Sequence, residues 1–244
     1  MTESRRPPSR SNEEAGFFTS AITLVAKIIQ WFLLSLVLAV ALEWVGMIWW
    51  WSDDGVGHSR RMLEVERRFL GSAFQRHLLA LEPARLGDDI GQRLSVIIFD
   101  LTRLNRVMAR AARPPLRDEP RLRATIHRSA NRLAKYIVAA KNRVLIFAMR
   151  ITVLLLAMPV LVLCCIAAFI EGLVRRDLRR WGGGRESGFI YHWAKQVALP
   201  LAVGAWIIYL VLPVSVHPSL AIFTFAALLS LATTAAAGTF KKYL

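Results

Sequence analysis

Four apolar runs, over residues 28–51, 144–170, 197–213 and 219–238, alternate with charged segments and leave few folds open to this chain. About 20 predominantly apolar residues cross the ~30 Å hydrocarbon core of a bilayer as a helix, because in lipid every backbone N–H and C=O must be satisfied within the segment. Hydrophobic residues make up 55% of the chain, too apolar for an ordinary soluble domain of this length. The class that follows is all-α, a polytopic membrane protein with four transmembrane helices.

Taken in order, residues 1–16 read as a disordered tail, rich in polar residues, Ser and Pro and with nothing to bury. The run 28–51 opens after Lys27 and closes on Trp49, Trp50 and Trp51, an interfacial aromatic belt. It is too long for a cleaved secretory signal and reads as an anchor. Residues 52–143 carry 19 Lys and Arg and read as a three-helix extramembrane segment between the first and second spans. In the first of these helices, from about Ser59, Met62, Phe69, Ala73, Phe74, Leu78 and Leu81 recur at helical spacing, and Pro83 ends it. The second places Ile90, Leu94, Ile97, Leu101, Leu104 and Met108 on one face, and the third, from near Pro120, has no break before the span that follows. The arginines of this segment read as a solvated surface.

The net charge of +15 is distributed so as to fix orientation. Arg5, Arg6, Arg10 and Lys27, six basic residues of the 171–195 loop (Arg175, Arg176, Arg179, Arg180, Arg185 and Lys195), and Lys241 and Lys242 of the 239–244 tail make twelve charges on one side. The turn 213–218 on the other side has none. Short Lys/Arg-rich loops stay cytoplasmic, so both termini face the cytoplasm, and 52–143, too long to count for orientation, lies across the membrane.

Two charges fall inside the runs, Glu43 in the first and Arg150 in the second. At ~1.5 Å per residue they lie about 12 Å and about 9 Å below the outer ends of their spans, so a mutual ion pair would offset the cost of both. Signs of catalysis are sparse. The histidines His58, His77, His127, His192 and His217 have no metal-ligand spacing, Cys164 and Cys165 read as packing residues, and Gly182-Gly183-Gly184 reads as a linker rather than a phosphate loop. No enzyme, cofactor or metal is expected.

The stretch Glu171-Gly172-Leu-Val-Arg-Arg-Asp177-Leu-Arg-Arg, with Arg185-Glu186-Ser187-Gly-Phe-Ile-Tyr191-His192-Trp-Ala-Lys195, and Glu43-Trp44-Val-Gly-Met47 leading to His58-Ser59, resembles a family of membrane proteins of integrating conjugative elements. The resemblance implies a bacterial inner-membrane protein of the DNA-transfer region, with 52–143 periplasmic. Its implied partners are membrane lipid and other conjugation or type IV secretion proteins, the coupling ATPase among them. The expected role is an accessory scaffold, with Arg175, Arg176, Arg179, Arg180, Arg185 and Lys195 docking lipid, an acidic partner or DNA backbone. The alternative is a small transporter or pore built on Glu43 and Arg150.

Overall fold

The computed structural model describes residues 10–73, 83–104, 106, 121–182 and 203–238. The helices are α1 (Arg10–Trp49), α2 (Val56–Ala73), α3 (Pro83–Leu101), α4 (Arg121–Trp181), α5 (residues 203–211) and α6 (Pro218–Gly238), with no strand among the described residues. Expectations for Phe74, Leu78, Leu81, Met108, residues 1–9 of the tail, the loop beyond Gly182 and the tail 239–244 lie outside the described residues, whereas residues 10–16, expected to be disordered, are helical as the start of α1.

α4 is the spine on which α1, α2, α3 and α6 all pack. Its 61 residues make a rod about 90 Å long at ~1.5 Å per residue. The third extramembrane helix and the second span are thus a single element, as the unbroken sequence between them allowed, and it continues through Pro159. Three helical stretches are long and apolar enough to cross a membrane: Ile22–Trp49, Arg132–Arg179 and Pro218–Gly238. The fourth expected span, 197–213, falls only in part within the described residues, of which 203–211 are helical.

Pairwise contacts give the helix directions. α2 runs alongside α4 in the same sense: Asn142 Nδ2 donates to Ser59 Oγ at 3.0 Å, and Leu70 packs on Met149 and Val153 further along. α3 returns, with Gly87 against Met149 and Thr152, and Gly91 against Leu145 and Ala148. α6 again runs with α4, from Ile222 beside Val153 to Gly238 beside Gly172. The spine therefore has two storeys, one clad by α2 and α3 and one clad by α6.

These claddings differ in chemistry. α2 turns Arg60, Arg61, Glu64, Arg67 and Arg68 outward, and Arg67 Nη2 meets Asp88 Oδ1 of α3 at 2.5 Å. α6 carries no charged residue, and on its storey α4 leaves Leu155, Val160, Leu163, Ile166, Phe169 and Ile170 half exposed or more. The stretch Arg132–Arg179 of α4 would be about 72 Å long, more than twice the ~30 Å hydrocarbon core, so lipid can cover only part of it.

α3 keeps only part of its expected stripe, with Leu94, and Leu104 just past its end, packed on the core. Ile97 is 56% and Leu101 79% exposed, while Gly87, Gly91, Ser95 and Phe99, four residues apart, form the packed face. α4 presents Ala148 and Thr152 there, and two backbones come this close only when the side chains between them are small. A hydrophobic stripe weights bulk and so misses a contact made by absence of bulk. Pro83, expected to end the preceding helix, opens this one, where its missing N–H costs nothing. Between α1 and α2 the chain turns over Trp51–Gly55, with the N–H groups of Asp54 and Gly55 donating to Trp51 O, and Gly55 takes the left-handed φ of 52° that a side chain would resist.

A Cβ on Gly91 would come within 2.9 Å of Leu145 Cδ2, whereas one on Gly71 of α2 meets nothing within 4 Å. Gly91→Leu should therefore loosen α3 from α4 by about 1–3 kcal/mol, read as faster amide exchange confined to α3. Gly71→Leu should leave exchange within about 0.5 kcal/mol of wild type.

Candidate functional site

The densest polar constellation begins at the C-terminal end of α5. Helix ends leave their last four carbonyls without intrahelical partners, and here the partner that Tyr209 O would take is the N–H of residue 213, which is proline. α4 supplies the missing donors from Arg143 and Arg150, seven residues apart on one helical face and both 0% exposed. Arg150 Nη1 donates to Tyr209 O at 2.5 Å and Leu212 O at 2.8 Å, and its Nη2 to Val214 O at 2.5 Å. Arg143 Nη2 donates to Val211 O at 2.5 Å and to the same Leu212 O at 2.8 Å. Two cations at a helix C-terminus also meet the negative end of its dipole. The Arg150 guanidinium carbon stands 5.1 Å from the Tyr209 ring centroid, a further favourable contact for a buried cation.

The carboxylate that balances Arg150 is Glu66 of α2, 2% exposed. Glu66 Oε1 accepts from Arg150 Nε at 3.0 Å and Nη2 at 2.8 Å. Burial pushes the Glu66 carboxyl above its ordinary range, against the opposing pull of Arg150 and, more weakly, Arg143. One residue thus joins three elements: α2, the spine, and the turn between α5 and α6.

The expected pair of Glu43 with Arg150 is replaced by two others. Glu43, 0% exposed, has Oε1 3.3 Å from His58 Nδ1. The His58 ring stacks on Trp51 with centroids 3.9 Å apart, and the Trp51 ring lies over Gly46, where a Cβ would collide with it. The depth argument failed because it began both spans at one plane. Trp44 Nε1 donates to Tyr136 O at 3.1 Å, so α1 ends well before residue 144 on α4, and Glu43 meets the start of α2 instead. The segment from Glu43 to Ser59 thus closes into one packed corner, completed by the bond from Asn142 to Ser59.

At the opposite end of α4, Gly172 is buried against α6. Arg175 Nε donates to Glu171 Oε1 at 2.7 Å, and Arg179 Nη2 donates to Gly238 O, capping α6 as Arg150 caps α5. Arg176 is half-buried and Asp177 exposed. The side chain of Arg180, and Arg185, Glu186, Ser187, Tyr191, His192 and Lys195, lie outside the described residues. Cys164 and Cys165 are free and half-buried on α4.

Glu66 and Arg143 escaped the sequence reading, which took the extramembrane charges as solvated. A signal was present: Glu66 interrupts the buried face Ser59, Met62, Glu66, Leu70 of α2, and a carboxylate on an apolar stripe needs a partner.

Removing one member of a buried pair strands the other. Arg150→Met should cost about 3–5 kcal/mol in thermal unfolding in detergent, while Glu66→Gln, which keeps an acceptor for Arg150, should cost distinctly less. A raised carboxyl means that the folded protein holds this proton more tightly than the unfolded chain. The resulting stability is fully present below the ordinary carboxylate value and is lost as pH rises through the raised folded value. Melting temperature should accordingly climb as pH falls from neutral to mildly acid, and Glu66→Gln should flatten that component.

No curated protein and no solved structure matches this chain. Residues 50–241 match a family model described as IncC plasmid conjugative DNA transfer protein DtrJ-like. That stretch contains Glu66, Arg143, Arg150 and the turn they grip, and it covers well over half of the sequence. It agrees with the expectation of a conjugative transfer-region protein: the chain belongs to the DtrJ-like family of IncC plasmid conjugative DNA transfer proteins.

Proposed function

We propose that this protein is an inner-membrane scaffold of conjugative DNA transfer, serving the type IV secretion apparatus of a conjugative plasmid or integrating conjugative element. The observation that carries this reading is the buried junction of Glu66, Arg150 and the α5–α6 turn, which fixes the extramembrane hairpin rigidly to the spans. A rigid member with a polar head at one end and basic charge at the other suits a part that holds assemblies in register across a bilayer.

Four spans are favoured by topology. α4 and α6 are neighbours running in the same sense, so the chain between Trp181 and Pro218 has to return across their length, and 197–213 is the apolar run available for it. The cluster Arg175, Arg176, Arg179 and Arg180 then marks one membrane surface on α4. With those arginines cytoplasmic, both termini are cytoplasmic and the α2–α3 hairpin is periplasmic. Transfer proteins, the coupling ATPase among them, dock on the basic 171–195 segment. A pore is the weaker reading, since Glu43 is fully buried against His58 and Arg150 is held by Glu66 and backbone carbonyls.

A reporter active only outside the cytoplasm should be active when fused after Arg113 and silent when fused within Gly182–Gly184. The full chain, extracted in mild detergent, should co-purify with the element's transfer proteins, and changing Arg175, Arg176, Arg179 and Arg180 together to Gln should abolish transfer. Reversed reporter activity would sink the topology, and transfer that survives the fourfold change would remove the docking role.

A further inference from the structure

Where α4 and α6 meet at their far ends, the contact is unusually close and then stops. A Cβ on Gly172 would lie 2.6 Å from Ala237 Cβ and 2.9 Å from Thr234 O, and Thr234 Oγ1 donates to Ala168 O at 3.1 Å. Past this contact α6 ends at Gly238 while α4 runs on to Trp181. The step between them forms a groove of about 520 Å³, lined by Arg175, Leu178 and Arg179 of α4 and by Leu231, Thr234 and Ala235 of α6, with Gly238 at its end.

Charge and apolar surface are combined there in one order. Arg179 is committed to capping Gly238 and also donates to Arg175 O at 3.3 Å. The bond from Arg175 to Glu171 uses Nε, and the Arg175 side chain is 64% exposed. Glu171 and Asp177 offset part of the charge of Arg175, Arg176, Arg179 and Arg180, and the balance stays positive. Deeper along the helices Leu231 is 69% exposed and, beyond the groove, Phe169 and Ile170 are half exposed, so an apolar surface leads away from the guanidinium toward the middle of the spans.

We propose that this groove is a binding site for an acidic phospholipid. The headgroup phosphate accepts hydrogen bonds from the Nη groups of Arg175, and an acyl chain lies over Leu231 with Ala235 as the floor. The occupant is a lipid rather than a soluble anion because the groove opens where two candidate spans end, at headgroup level, and because its walls continue into lipid-facing surface. The inference needs the chain to sit in a bilayer. It does not depend on which side this end faces or on any role in transfer.

The test uses the full chain, purified in mild detergent and exchanged into phosphatidylcholine vesicles doped with phosphatidylglycerol, with retained lipid read by native mass spectrometry. Phosphatidylglycerol should be retained over phosphatidylcholine by about fivefold or more, the contribution of one arginine near a membrane surface. Arg175→Gln should abolish the preference, and Ala235→Leu, which fills the floor without touching charge, should abolish retention of both lipids in the groove. Equal retention of the two lipids by wild type would overturn the proposal, as would an Ala235→Leu variant that still melts normally and still retains phosphatidylglycerol. Stabilisation by inorganic phosphate as large as that by the lipid would overturn it too, by identifying a soluble-anion site.

Discussion

Two guanidinium groups buried on the backbone of α5 and its following turn hold the described architecture together. Burying a cation costs several kcal/mol unless its donors are satisfied, and an interrupted helix end exposes carbonyls that need donors. At Arg150 each deficit answers the other, while Arg143 keeps its Nε buried without a partner. Proline at 213 removes a donor that the backbone would have supplied, and Arg150 restores it from another helix. Glu66 then brings α2 onto the same guanidinium, so the position of α2, the register of the spine and the location of the α5–α6 turn are set at one point.

Around that point the two storeys of α4 obey the same packing rule. Beside α3 the spine is approached through Gly87, Gly91 and Ser95, and beside α6 through Gly172. Both contacts rely on backbone proximity, which does not require a hydrophobic driving force and so works equally against protein or in lipid. The two storeys are distinguished by what faces outward, arginines on one and half-exposed leucines, valines and isoleucines on the other.

Much of this was legible beforehand. The apolar runs, the helical class and the continuity of the third helix into the span follow from composition and the absence of breakers between Arg121 and Met158. The partners of the buried charges were not legible. Depth along a sequence assumes that spans begin at a shared plane, and Trp44 lying beside Tyr136 breaks that assumption by more than two helical turns. The face of α3 was partly misjudged for a related reason, since periodicity sees large side chains and the contact there is made by glycines. Gly46 and Trp51 carried a similar hidden relation, because nothing in a linear pattern says that one ring folds back over a residue without a side chain.

In the grip on the α5–α6 turn, every acceptor is a main-chain oxygen: Tyr209, Val211, Leu212 and Val214 contribute their carbonyls. Recognition through carbonyls is blind to side-chain identity. The residues of the turn can therefore drift in sequence as long as the path of the chain is kept, while the two arginines that read that path cannot be exchanged even for lysine, whose ammonium lacks the planar fork of donors that reaches several carbonyls at once. Sequence divergence among proteins built this way should concentrate in the gripped strand and spare the gripping residues, so that a pair of arginines seven apart on an apolar helix is a better marker of the architecture than the turn itself.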